Sequence, residues 1–98
     1  MIAIILAAAV ALTLIVLVML NWETIVNWFR AREELKESDK DNIAFTLQEK
    51  LTNGNYSTVQ GIFNKHTNTV EDGVKYKSED IDEEVAKAHR KESLVIYN

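Results

Sequence analysis

The chain has no cysteine and only three glycines, and from Met1 to Leu20 it has no charged side chain, no glycine and no proline. Each absence closes off a class of function. Without cysteine no disulfide can staple a small fold and no thiolate metal site can form, and the lack agrees with a reducing compartment. Three glycines cannot build a phosphate-cradling loop, and neither G-x-G-x-x-G nor G-x-x-x-x-G-K occurs. A basic surplus is missing too: 11 Lys and Arg against 15 Asp and Glu leave a formal net charge of −4. Phosphate neutralisation needs the opposite balance, so nucleic acid is not an expected partner.

Side chains for chemistry are equally scarce. His66 lies in a polar loop and His89 near a helix end, and neither has a second donor at ligand spacing, so no metal and no cofactor are expected. No G-x-S-x-G or related nucleophile motif is present. The acidic cluster Asp80, Asp82, Glu83 and Glu84 lacks the spacing and central glycine of a calcium loop, and reads instead as the first turn of a helix. Asn55-Tyr56-Ser57 matches a glycosylation sequon but falls in an expected turn. The expected protein is not an enzyme, with no catalytic residues.

What the chain does contain is a run from Met1 to Leu20 in which Thr13 is the one polar side chain. As a helix it would be about 30 Å long, the thickness of a bilayer's hydrocarbon core. Residues 1–21 are therefore expected to form a transmembrane helix, favoured over a cleaved signal peptide because no basic n-region precedes the run and no A-x-A site follows it. Arg30, Arg32, Lys36 and Lys40 on the far side place the N-terminus outside and the remainder in the cytoplasm of an inner or plasma membrane. Ala3, Ala7 and Ala11 recur every fourth residue, a ridge that would let a partner helix or a second copy pack closely. The ordinary abundance of alanine in membrane helices accounts for the same spacing.

Residues 22–37 read as an amphipathic juxtamembrane helix with Trp22, Ile25, Val26 and Phe29 on one side. Trp22, Trp28 and Phe29 fit an interfacial aromatic belt, and Arg30 and Arg32 would meet anionic lipid headgroups. Residues 38–42 carry no apolar side chain and form a linker. The segment 43–98 then reads as a small α+β domain with about three or four strands and one helix packed on them. Ile43 to Leu47 alternates as a half-buried strand. Asn53-Gly54 signals a hairpin, and Tyr56 to Phe63 returns with Val59, Gly61 and Phe63 on one face. Asp72-Gly73 offers a second turn before Val74 to Lys77. Ser78 or Asp80 would cap a helix of about three turns, and Leu94 to Tyr97 would add a last strand.

Two functions fit these features. The first is a single-pass accessory or assembly subunit, working through its membrane helix and through an edge strand at Val74 to Lys77 or at the C-terminal strand. The second is a membrane-tethered regulatory domain that binds a ligand or lipid headgroup beside Arg30 and Arg32.

Overall fold

The apolar stretch does not form one helix. In the structure, a computed structural model that describes residues 1–97, it is divided into α1 (Ile2–Ala9) and β1 (Leu14–Leu20). Bonds from Ala11 N–H to the Ala8 carbonyl and from Leu12 N–H to the Ala9 carbonyl tighten the end of α1 and turn the chain. The side chains change character at this break. Alanine dominates before it, and the run Leu14-Ile15-Val16-Leu17-Val18 follows, rich in branched residues that suit a pleated strand. Eight helical residues span about 12 Å, and no helix among the described residues is long and apolar enough to cross a membrane. The expected transmembrane helix continuing into a juxtamembrane helix, and with it the single-pass location with the N-terminus outside, is corrected accordingly.

The elements that follow are α2 (Trp22–Arg30), α3 (Glu33–Glu37), β2 (Asn42–Lys50), β3 (Tyr56–Asn64), β4 (Thr69–Ile81), α4 (Glu83–Ala88) and β5 (Leu94–Tyr97). The fold is α+β, with a five-stranded mixed sheet in the order β1-β4-β3-β2-β5. Only β1 and β4 run parallel; the other three pairings are antiparallel. The Asn-Gly hairpin forms as its sequence predicts, with Gly54 at φ +89° and β2 paired to β3 from Asn42–Asn64 to Lys50–Tyr56.

Asp72 and Gly73 lie inside β4, where the sequence predicts a turn, and β4 continues through Ser78 to Ile81. Two neighbours account for this: β3 pairs Ile62 with Asp72 and Gly61 with Gly73, and β1, with Leu14 opposite Lys75 and Leu20 opposite Ile81, gives the end of β4 a ladder beyond the reach of β3. The last helix consequently starts later and is shorter than expected. Its cap is Asp82, whose Oδ1 accepts from the Val85 N–H at 2.9 Å. Val74 to Lys77 is an interior strand segment, and the two sheet edges are β1 and β5.

Each face of the sheet carries its own core. On one, Ile5 and Ala9 of α1 cover Phe45, Leu47, Val59 and Phe63. Gly61 makes this face possible: a Cβ there would come 2.7 Å from the Asp72 carbonyl oxygen and 3.0 Å from the Phe45 ring. On the other, Ile25 of α2 and Val85 of α4 pack with Leu20, Val74 and Tyr76. β2 and β3 are thus buried on both sides, so the polar partners in their alternation are interior groups: Thr46 and Gln60 are fully buried and directly opposed.

Candidate binding groove and exposed apolar edge

Ala44 and Ile62 face each other across β2 and β3, and Tyr97 of β5 lies opposite Ala44 on the other flank. The small Ala44 side chain leaves space beneath α2. The result is a groove of about 480 Å3, floored by Ala44 and Ile62, walled by Trp22, Ile25, Val26, Phe29 and Tyr97, with Arg30, Glu33, Lys36 and Glu37 at its mouth. Its volume falls in the range of small-molecule sites.

The walls are fixed from inside. Gln60 Nε2 donates to the Ile25 carbonyl at 2.8 Å, and Tyr76 Oη donates to Gln60 Oε1 at 2.8 Å, so the middle of α2 is tied to two strands. The Tyr97 ring packs at 5.9 Å from Trp22 and 5.5 Å from Phe29, centroid to centroid. Asp82 secures the start of α2 as well as α4, because its Oδ2 accepts from the Trp22 N–H at 2.7 Å.

Behind the groove runs a directed chain of hydrogen bonds. The Glu92 carbonyl can only accept, so His89 Nδ1, 3.0 Å away, carries the proton. In the neutral ring Nε2 is then an acceptor, and it takes the Thr46 hydroxyl proton at 2.7 Å. Thr46 Oγ1 is left to accept from Tyr97 Oη at 2.6 Å. Burial lowers the His89 pKa, against hydrogen bonding at the Glu92 and Ser93 backbone, which raises it. Burial raises the Tyr97 pKa, partly offset by the hydrogen bond to Thr46. Both shifts favour the neutral groups that the chain of bonds requires.

The residues singled out in the sequence fall in two places. Trp22, Phe29 and Arg30 are brought together at the groove. Trp28 stacks edge-on against Phe29, and its ring carries the Arg32 guanidinium 3.9 Å from its centroid. Arg32 also donates from Nε to Asp72 Oδ2 at 2.7 Å, so it fastens the α2–α3 junction to β4. Ala3 and Ala7 are exposed on the side of α1 turned away from Ile5 and Ala9, and Ala11 is exposed in the turn that follows, so the three do not form one helical ridge. The sequence placed His89 near a helix end, Tyr97 in the last strand and Thr46 in the first strand of the hairpin, but did not join them, although the polar position between Phe45 and Leu47 carried the signal. Among the described residues no group of His, Cys, Asp or Glu side chains could hold a metal ion.

A second feature lies at the opposite edge. Of the large hydrophobic side chains exposed among the described residues, all but Ile96 lie between Met1 and Met19. α1 buries one side only, leaving Ile2, Leu6 and Val10 outward, and the side chains of β1 are open on both faces of the sheet edge. Scattered exposed apolar residues are ordinary, whereas here they are concentrated on two adjoining elements, α1 and β1.

These features define a small α+β domain with a lined groove and an apolar edge. Comparison of the chain with protein-family models, with curated proteins and with solved structures gives no match.

Proposed function

We propose that the chain is an interaction module that works by docking a protein surface against its α1–β1 edge, with no catalytic step of its own. The carrying observation is the concentration of exposed large hydrophobics in residues 1–19, on a chain whose charges all lie beyond Leu20. Leaving such a surface in water costs on the order of 25 cal/mol per Å2 of apolar area, which a partner would recover. The test compares the full chain with a Val10→Lys, Val16→Lys variant by light scattering and by binding of a hydrophobic dye. Both positions are among the most exposed, so circular dichroism should be unchanged. Association and dye binding present in the parent and lost in the variant are expected. A monomeric parent that binds no dye sinks the reading.

The groove supports a second role, the binding of a small apolar molecule with a polar end. Its aromatic walls would hold the body, and Arg30 and Lys36 at the mouth would meet the polar end. Trp22 lines the space, so a ligand should shift its fluorescence. Ala44→Leu, which fills the floor, should abolish that shift.

A further inference from the structure

We infer that the partner of the α1–β1 edge is a second copy of this chain, joined strand to strand by antiparallel pairing of β1 with itself about Val16. The inference rests on the interaction reading above and adds the occupant and its register.

The backbone sets which groups are free. The Thr13 carbonyl accepts from the Lys75 N–H at 3.0 Å, so it points into the sheet toward β4. Backbone direction alternates along a strand, so Ile15 and Leu17 also turn inward, while Leu14, Val16 and Val18 present their N–H and carbonyl groups to the open edge. Three outward residues centred on Val16 are self-complementary under a two-fold axis. Val16 meets Val16 of the second copy, and Leu14 meets Val18 in both directions. That register gives about six main-chain hydrogen bonds between the copies.

The side chains agree with this occupant. A two-fold axis sets every group near it against its own kind, so a charge close to the axis would repel its copy. β1 has none, and it also lacks the lysine or proline with which sheet edges are commonly blunted. Leu14, Val16 and Val18 are 52%, 72% and 73% exposed, so they are free to pack across the new seam and can be substituted without disturbing the core.

The absence of cysteine supplies a clean test in the full-length chain. In the proposed register the two Val16 Cα atoms lie about 5.5 Å apart as a hydrogen-bonded pair, whose Cβ atoms are too far apart for an unstrained disulfide but within reach of a short thiol–thiol linker. With such a linker Val16→Cys should form a covalent dimer. Leu14→Cys and Val18→Cys should each cross-link poorly alone and well when mixed, and Ile96→Cys on the other edge should stay monomeric. Val16→Lys should raise the dimer dissociation constant by roughly tenfold or more. An associated chain in which Val16→Cys does not cross-link, or in which Leu14→Cys alone cross-links as well as the mixture, overturns the register and leaves the interaction reading in place. A chain monomeric at high concentration, whether free or sedimenting as a monomer with phosphatidylcholine vesicles, overturns the second copy as the occupant. Failure of dye binding as well removes the interaction reading itself.

Discussion

His89 shows how one side chain couples the interior to pH. Its folded-state pKa is lowered by burial, so over the range between that value and the ordinary 6.5 the unfolded chain binds more protons than the folded one. Stability therefore rises with pH across this window and falls as the solution is acidified below about 6.5. Protonation also places a proton on Nε2, where the Thr46 hydroxyl donates. His89→Gln should flatten the slope of unfolding free energy against pH between neutral and mildly acidic solution, as measured by urea titration at a series of pH values. An unchanged slope would mean that His89 is not the titrating group. Ser78 makes the converse case: its hydroxyl is buried with no hydrogen-bond partner. Ser78→Ala removes an unpaired polar group from the interior, and should stabilise the protein by about 1 kcal/mol in the same assay.

At the scale of elements the decisive joint is Asp82, which caps α4 and accepts from the first N–H of α2. Asp82→Ala loses both bonds and should cost about 2 kcal/mol; Asp82→Asn keeps an acceptor for the cap and should cost less. Equal losses in the two variants would show that the cap adds nothing and that the whole cost lies in the link to α2. The cap was only half legible in the sequence. An acidic first turn and basic last turn announced a helix, but its start depended on where β4 ended, and that was decided by β1. The hairpin of β2 and β3 was legible throughout because its information is local: Asn53-Gly54 sets the turn, and alternation sets the faces. Gly61 was placed correctly beside Val59 and Phe63, but its reason is tertiary, namely the Phe45 ring and the Asp72 carbonyl. Gly61→Ala should cost roughly 2–3 kcal/mol, since a backbone atom must move to admit the methyl group.

For the whole molecule the informative failure is residues 1–20. A continuous apolar run carries no periodicity, so composition alone cannot separate a membrane helix from a buried helix or strand. The shift from alanine at 7–9 to branched residues at 14–18 was the available signal, and length outweighed it. Assigning the run to the bilayer then deprived the end of β4 of its parallel neighbour, which produced the early helix cap; the false turn at Asp72-Gly73 came from reading an Asp-Gly step locally, where β3 holds both residues in the ladder. The groove was hidden for a related reason. Its aromatic side chains read as an interfacial belt as long as the helix bearing them was taken to leave a membrane, whereas α2 packs on the sheet.

The same run governs how stability should depend on concentration. If β1 pairs with its own copy, unfolding is linked to dissociation, and each tenfold dilution removes about 1.4 kcal/mol per dimer. A cooperative unit of two such chains shifts its melting temperature by about 2–4 °C per kcal/mol, so tenfold dilution should lower Tm by roughly 3–5 °C. The Val16→Lys variant, with its dimer weakened, should melt below the parent at every concentration at which the parent is dimeric. A parent protein whose Tm is flat over a hundredfold range would place its folding wholly within the single chain, with the β1 edge left open to water or to a different partner.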